Sequence, residues 1–185
     1  MSYRQSGDWD DGVPDGTVTI SDLVATDSNA HRSLWHYVTN IDLFPKVHFW
    51  NAATDDPIGV EASEPRAVRR LVTDTLYVQV LDRSAALIAR RFESDGELVI
   101  EVHDDMGYAA GKVTLRVRDG AATATRSDLP ADIRLDARDL GALYLGRACA
   151  DTYASIGRIG GSAESVRLLG QIFGTARAPW CPEMF

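Results

Sequence analysis

Lys112-Val-Thr-Leu-Arg-Val-Arg-Asp-Gly-Ala-Ala-Thr-Ala-Thr-Arg126 is the stretch that decides the fold of this chain. Apolar and polar residues alternate in its first half, which is typical of a strand with one buried face. Asp119-Gly120 then supplies the residue pair that favours a tight hairpin turn. The alternation predicts a buried face made of Val113, Leu115 and Val117 and an outer face made of Thr114 and Arg116.

The segments on either side of this hairpin extend it into a sheet covered by helices. Strands are predicted at residues 97–102 and 133–135, where β-branched residues are frequent. Helices are predicted where apolar residues recur at helical spacing after a capping residue. They cover residues 84–92, a segment capped by Asp136 that holds Leu140 to Leu145, residues 148–156, and residues 163–173 after the cap Ser162.

The first part of the chain has a different pattern of residues. Residues 1–16 contain many turn formers and are predicted to be an irregular lead-in. A strand at 17–24, a helix capped by Thr26 or Asp27, and a strand at 46–50 follow. An ill-defined, partly helical stretch then runs to about residue 70, and residues 75–81 predict another strand. The order indicates a mixed α/β (α+β) chain with two lobes, joined near Leu81-Asp82.

Composition limits the classes of function. Hydrophobic residues make up 45% and charged residues 25%, as in ordinary globular proteins. The net charge of −8 argues against nucleic acid, which needs a basic face. There is no apolar run of the length that spans a membrane, and the acidic N-terminus is unlike a signal peptide. We therefore expect a cytoplasmic protein with neither nucleic acid nor membrane as a partner.

A set of motifs, in this order along the chain, resembles the second half of the enhanced intracellular survival (Eis) acetyltransferases. The motifs are Tyr3-Arg4, Asp8-Trp-Asp-Asp-Gly12, Leu34-Trp35, Ile41-Asp-Leu43, Asp55-Asp-Pro57, Tyr77-Val-Gln-Val80, Ala85-Ala-Leu87, Ala89-Arg-Arg91, Ala131-Asp-Ile-Arg-Leu-Asp136, Asp139-Leu-Gly-Ala-Leu-Tyr-Leu-Gly146, Ala154-Ser-Ile-Gly-Arg-Ile159 and Ala178-Pro-Trp-Cys-Pro-Glu-Met-Phe185. The resemblance covers essentially the whole chain.

This resemblance implies a domain organisation. Members of that family have an N-terminal acetyltransferase (GNAT) lobe that binds acetyl-CoA, a second, degenerate GNAT lobe and a sterol-carrier-like lobe. Residues 1–80 would be the later part of the second GNAT lobe, and residues 81–185 the sterol-carrier-like lobe. The expected function is the C-terminal region of an acetyl-CoA-dependent N-acetyltransferase, acting on amines such as aminoglycosides or lysine side chains.

The C-terminal tail is stiff and apolar. Two prolines flank Trp180, and proline restricts both its own backbone and that of the preceding residue. In the family the terminal carboxylate serves as general base, so the resemblance assigns that role to Phe185. Glu183 would help to attract a cationic acceptor, although a solvated residue at the rim is the alternative. Composition alone favours a tail that simply packs on its own domain.

No convincing acetyl-CoA site is predicted in this chain. Arg158-Ile-Gly-Gly-Ser-Ala163 spells the R-x-x-G-x-A pattern of the GNAT pyrophosphate loop, but that loop needs a strand before it and a helix after it. The preceding residues predict a helix, so a glycine-rich connection between two helices is expected instead. We expect the cofactor to belong to the missing N-terminal lobe and this chain to be inactive alone.

Other reactive residues predict structural roles. The four histidines do not have the spacing of a metal site. Cys149 stands among apolar helix positions and is predicted to lie in the core. Trp35, Tyr37 and Trp50 are also predicted to be core residues rather than ligand stackers.

Two alternatives remain beside the acetyltransferase. One is a sterol-carrier-like module that binds a lipid or another apolar ligand between its sheet and helices; a packed core there would count against it. The other is an oligomerisation piece, since the family assembles into hexamers. Self-association is expected in either case, because the first lobe is predicted to have an unpaired strand edge.

Overall fold

The structure is a computed structural model that describes residues 1–7, 9–74, 76–146, 149–181 and 183. The chain divides into two compact units, of which unit 1 is Met1–Thr73 and unit 2 begins at Asp74. The predicted mixed α/β class is confirmed, since each unit combines a β-sheet with helices. The domain bounds 1–80 and 81–185 stay a prediction.

Unit 1 is built on a three-stranded sheet in the order β1-β4-β5. Its strands are β1 (Ser2–Ser6), β4 (Thr17–Asp22) and β5 (Lys46–Phe49), and a two-residue ladder joins β2 (Trp9–Asp10) to β3 (Val13–Pro14). β1 runs antiparallel to β4, and β5 runs parallel to it. The lead-in predicted to be irregular is therefore strand in part. The prediction was wrong because four of the five residues of β1 are exposed, so no apolar alternation marks it.

Helix α1 (Ser28–Thr39) crosses from β4 to β5. Of the two predicted caps, Asp27 is the one that caps it, because its Oδ1 accepts a hydrogen bond from the Ala30 N–H at 2.9 Å. Trp35 and Val38 on α1 pack with Ile20 and Leu23 in the core of this unit. The chain continues through α2 (Ile58–Glu61) and a 3₁₀ turn at Pro65–Ala67. Tyr37 and Trp50 are 52% and 50% exposed, so their predicted place in the core was wrong.

Unit 2 holds a five-stranded sheet in the order β10-β9-β6-β7-β8. Its elements in chain order are α3 (Arg83–Ala89), β6 (Gly96–His103), β7 (Gly111–Arg118), β8 (Ala121–Arg126), β9 (Ile133–Asp136), α4 (Ala137–Tyr144), α5 (Ala150–Ser155), β10 (Ile159–Gly161) and α6 (Ala163–Phe173). β6 and β9 are parallel, and the other neighbouring strands are antiparallel. β10 lies where the sequence predicted only a glycine-rich connection between helices, so that expectation was wrong.

The hairpin that decides the fold has the predicted register. Val113, Leu115 and Val117 are fully buried, whereas Arg116 is exposed and Thr114 is half-buried. Asp119 and Gly120 have φ of 50° and 74°, the left-handed conformations that the two-residue turn requires. The predicted caps Asp136 and Ser162 are confirmed as well.

Residues 76–80 form no strand, although their sequence predicted one, and Thr75 lies outside the described residues. Val80 is buried, but Leu76 and Tyr77 are 45% and 83% exposed. Alternating β-branched and aromatic residues favour an extended backbone, but a strand also needs a hydrogen-bonded neighbour. The prediction failed on this second requirement.

Arg90 joins three helices of unit 2. Its Nε donates to the Tyr144 carbonyl at 2.9 Å, and its two terminal nitrogens donate to the carbonyls of Phe173 at 2.7 Å and Ile172 at 3.4 Å. These carbonyls end α4 and α6, where a helix has no N–H partners of its own and carries partial negative charge. Arg90 itself follows the last turn of α3.

Replacing Arg90 with Leu should therefore destabilise unit 2 by about 3 kcal/mol, because hydrogen bonds from a charged donor are each worth about 1.5–3 kcal/mol. Urea unfolding followed by circular dichroism measures the change. Arg91→Leu is the matched control, since Arg91 is exposed. Equal stability of the two variants would contradict the bridging role of Arg90.

Candidate functional site

Unit 2 contains a cleft of about 700 Å³ with an acidic rim. Asp74, Asp104, Asp105 and Asp136 line it, together with Arg138. The apolar part of the lining consists of Leu76, Tyr77, Val78, Met106, Ala137, Ala142, Leu145, Tyr153 and Pro179. Typical small-molecule sites have a similar volume and a similar mixture of apolar surface and a few polar groups. We call this feature the acidic cleft.

Two parallel strands bring these carboxylates together. His103 at the end of β6 is in register with Asp136 at the end of β9. Because the carboxyl ends of parallel strands meet at one edge of the sheet, Asp104 and Asp105 lie near Asp136. The sequence showed acidic residues after two predicted strands, but it did not show that those strands are parallel neighbours. That pairing is the signal that sequence reasoning missed.

Asp104 shapes the loop after β6. Its Oδ1 accepts from the Met106 N–H at 3.0 Å, and its Oδ2 accepts from the Ala109 N–H at 2.8 Å. Asp105 lies 3.0 Å from the Nε2 of His103, with both side chains largely exposed. The loop is therefore fixed by its own carboxylates.

Asp136 is held in its ionised form. The Arg138 guanidinium, 2.9 Å from Oδ1, lowers the pKa of Asp136 first, and the Arg138 N–H lowers it further. The same pair raises the pKa of Arg138. A carboxyl group with a lowered pKa stabilises the folded state at any pH above its ordinary pKa. This contribution is lost as the pH falls through the lowered pKa. Because Arg138 is mostly exposed, the contribution to stability is small.

A glycine lets the wall of the cleft approach α4 closely. A Cβ at Gly141 would collide with the Val78 carbonyl oxygen. The segment that includes Leu76 and Val78 therefore lies against the backbone of α4 and forms one side of the cleft. A side chain at this position would push the segment away.

The tail borders the same cleft through Pro179. Glu183 is exposed, and its carbonyl oxygen accepts from the Cys181 thiol at 3.3 Å. Phe185, for which the resemblance implies catalysis, lies outside the described residues, as do Pro182 and Met184. The structure thus brings the tail to the acidic cleft at Pro179, and the roles of Phe185 and Glu183 stay predictions.

Neither place where a GNAT phosphate loop could lie fits the pyrophosphate of acetyl-CoA. Between β4 and α1, the Asp27 carboxylate already occupies the helix N-terminus, where it accepts from the Ala30 N–H. Hydrogen bonds from Ala30 and Thr26 lower the pKa of Asp27, so it stays anionic and repels phosphate. Between β10 and α6, Ser162 caps the helix and Arg158 forms an ion pair with the buried Asp139.

One of the two thiols, that of Cys149, differs from the sequence prediction. Cys149 is exposed at the N-terminus of α5, so its predicted place in the core was wrong. The Thr152 N–H and then the Thr152 hydroxyl lower the pKa of the Cys149 thiol. Apolar neighbours in sequence gave the wrong expectation because Cys149 precedes the helix rather than lying inside it. In the described part of the chain, no cluster of metal-binding side chains and no helix able to span a membrane is found.

The comparisons with known proteins agree with this architecture. Residues 84–182 match the sterol carrier protein domain family, and residues 1–78 match an acetyltransferase (GNAT) domain family. The chain therefore belongs to the sterol carrier protein domain family and carries a GNAT domain match ahead of it. GNAT enzymes use acetyl-CoA. The expectation that the acetyltransferase lobe is missing from this chain is corrected by the GNAT match over residues 1–78.

The relatives are N-acetyltransferases. An uncharacterized N-acetyltransferase of Streptomyces griseus is 34% identical over 188 residues, covering 100% of this chain and 45% of the relative. The N-acetyltransferase Eis of Mycobacterium tuberculosis is 31% identical over 144 residues, covering 76% of this chain and 34% of the relative. The chain thus spans less than half the length of these relatives.

A solved structure shows the same fold. Eis1 from Mycobacterium abscessus superposes with a TM-score of 0.80 at 27% identity, over 91% of this chain and 43% of that protein. A GCN5-related N-acetyltransferase from Kribbella flavida gives a TM-score of 0.66 at 28% identity, over 97% and 45%. These matches confirm a GNAT-like lobe followed by a sterol-carrier-like lobe.

Substituting Gly141 with Ala should displace the segment around Val78 and destabilise unit 2 by about 1–3 kcal/mol, the usual cost of overpacking. Gly170→Ala on α6 is the matched control, since its Cβ would lie an ordinary 3.6 Å from the Cβ of Ala150. That change should be neutral or stabilise by up to about 1 kcal/mol. The melting temperatures of both variants measure the change in stability. An unchanged melting temperature for Gly141→Ala would contradict the close contact between Gly141 and the Val78 carbonyl.

The lowered pKa of Cys149 predicts faster alkylation than at Cys181, since the thiolate is the nucleophile. Peptide mass spectrometry after brief treatment with iodoacetamide at pH 7.5 measures both rates. Thr152→Val keeps the backbone N–H and removes the hydroxyl, so it should slow the reaction at Cys149 in part and leave Cys181 unchanged. An unchanged rate at Cys149 in Thr152→Val would show that the hydroxyl does not activate this thiol.

Proposed function

We propose that this chain is part of an acetyl-CoA-dependent N-acetyltransferase of the Eis kind, in which the acidic cleft receives a cationic amine acceptor. The cleft carries the proposal, because it combines four carboxylates with aromatic and aliphatic surface. Aminoglycosides and lysine side chains are the acceptor classes that this combination suits, since they carry amines on a body that packs against such surface.

Charge supports this acceptor class. Against the four carboxylates, Arg138 is the cation in the described lining, and it is neutralised by Asp136. The remaining carboxylates give the cleft a negative field that attracts cations and raises their local concentration. Asp105 is 79% exposed, so an incoming ammonium group can reach it without breaking a buried bond.

The general base in this proposal is the terminal carboxylate of Phe185, with Glu183 adding negative charge near the tail. An amine loses a proton when it is acylated, and a carboxylate in a dry cleft can accept it. An α-carboxyl group has an ordinary pKa of about 3.5, which desolvation would have to raise for efficient catalysis near neutral pH. The position of Pro179 in the lining of the cleft supports the assignment.

The partners in this proposal are the remaining length of the N-acetyltransferase and further copies of the chain. The relatives are more than twice as long as this chain, since it covers 45% of them. Self-association into a hexamer would follow the family. Both are proposals about the whole protein.

The lipid-binding alternative is not favoured by the interior of unit 2. Ile100, Val113 and Leu115 on the sheet and Leu169 and Ile172 on α6 are all fully buried. A Cβ at Gly96 would come within 2.6 Å of the Ile172 Cδ1, so β6 and α6 are in direct contact. Packing of this density leaves no room for an acyl chain between these two elements.

Asp105→Asn in the full-length protein tests the acceptor part of the proposal. The KM for a multi-amine acceptor should rise about 2–5-fold at low salt, the range expected for one exposed charge pair, while kcat stays unchanged. Asp128→Asn, an exposed acid that does not line the cleft, is the matched control. An unchanged KM across several salt concentrations would show that the acceptor does not bind in this cleft.

Addition of one alanine after Phe185 tests the base separately. The extension moves the carboxylate by up to about 3.5 Å and should lower kcat by about 10²- to 10⁴-fold, while the melting temperature stays constant. Phe185→Leu keeps the carboxylate in place and should retain most of the rate. A normal kcat in the extended enzyme would exclude the terminal carboxylate of Phe185 as the general base. It would not affect the assignment of the acceptor to the acidic cleft.

A further inference from the structure

Unit 1 contains a second cavity, of about 410 Å³, that the proposed function does not use. Four aromatic residues line it, namely Trp35, Phe44, Phe49 and Trp50. Its volume falls within the range of small-molecule sites, which are mostly apolar with a few polar groups. We call it the aromatic cavity.

The inner wall of the aromatic cavity is held in place. Trp35 is 8% exposed and packs against Phe49, with 6.3 Å between the ring centroids. Its Nε1 lies 3.2 Å from the Nε2 of His31, which also lies 3.0 Å from the buried Asp56. Asp56 in turn accepts from the Ile58 N–H at 2.9 Å. A wall fixed by packing and hydrogen bonds costs little to order when a ligand binds.

The opposite wall is pinned by Arg70. Its guanidinium donates to the Thr54 carbonyl at 2.9 Å and to the Asp56 carbonyl. These bonds tie the segment after the 3₁₀ turn to the loop that precedes α2. The cavity is therefore formed by the folded unit and does not depend on a loosely placed side chain.

The mouth of the cavity offers stacking surface and positive charge. Trp50 is half exposed, and Leu71 and Val72 beside it are 89% and 63% exposed. Arg69 lines the cavity and has no ion-pair partner within the described ranges. Exposed apolar surface beside a pocket marks a place where a ligand gains binding free energy by burying its own apolar surface.

The charges of the lining decide the ligand class. Arg69 and Arg70 are the cations of the lining, and Asp56 and Glu64 are its acids. Because Arg70 already donates to two backbone carbonyls, Arg69 is the guanidinium that remains for a ligand. Arginine pairs with planar anions and also stacks on rings.

We propose that the aromatic cavity of unit 1 is a binding site for a flat aromatic compound that carries one acidic group, with the ring on Trp50 and the acid at Arg69. This site is independent of the acidic cleft, which lies in unit 2.

Titration of the full 185-residue chain with 8-anilino-1-naphthalenesulfonate, a flat aromatic anion, tests this site. Energy transfer from tryptophan to the dye should appear on binding. Trp50→Leu should weaken the affinity about 5-fold, and Arg69→Gln about 3-fold, as expected for one ring contact and one exposed ion pair. Trp9→Leu and Arg66→Gln are matched controls outside the lining and should change the affinity less than 2-fold.

A neutral probe isolates the charge. N-phenyl-1-naphthylamine should bind the native chain more weakly than the sulfonate, and Arg69→Gln should abolish that difference. Circular dichroism confirms that each variant is folded, because the dye also binds partly unfolded chains. Equal effects of Trp9→Leu and Trp50→Leu would overturn the proposal. So would a dye affinity that falls as the protein concentration rises, since a second copy would then cover the cavity.

Discussion

The arrangement of unit 2 depends on one half-buried charge, the guanidinium of Arg90. The cation lies 4.5 Å from the ring centroid of Phe92 and 5.1 Å from that of Phe173, and the two rings meet edge to face. Burial lowers the pKa of Arg90. The carbonyls that end α4 and α6 replace the lost water, since they carry partial negative charge and need donors. An apolar side chain would remove the donors that these two helix ends use.

This constraint also sets the position of the acidic cleft. α4 begins directly after β9, and the carbonyl of its last residue, Tyr144, accepts a hydrogen bond from Arg90. Both ends of the helix are therefore fixed. Tyr144 adds a second tie, because its hydroxyl donates to the Ala86 carbonyl at 3.0 Å. With α4 held in this way, Gly141 presents bare backbone to Val78 while Asp136 and Arg138 remain at the rim. The cleft is thus a consequence of where the helix begins and ends.

Local signals explain what the sequence could predict. The turn at Asp119-Gly120 and the caps Asp27, Asp136 and Ser162 act through neighbours within a few residues, and all four are found where the sequence placed them. The failures needed partners distant in the chain. β1 is marked only by its pairing with β4, whereas residues 76–80 have the composition of a strand without the hydrogen bonds. Asp136 could be recognised as a cap, but its place in the cleft required the parallel pairing of β6 and β9.

Three of the four carboxylates of the acidic cleft, those of Asp104, Asp105 and Asp136, are suited to attracting a cation and poorly suited to accepting its proton. Both oxygens of Asp104 already accept backbone N–H groups. Arg138 lowers the pKa of Asp136, which makes that carboxylate a weaker base. Asp105 is exposed beside His103, so water keeps its charge solvated. A group that removes a proton from an amine must be desolvated and free of strong donors. In the proposed function the terminal carboxylate of the tail is therefore the group that accepts the proton, while the side chains of the cleft attract the cation.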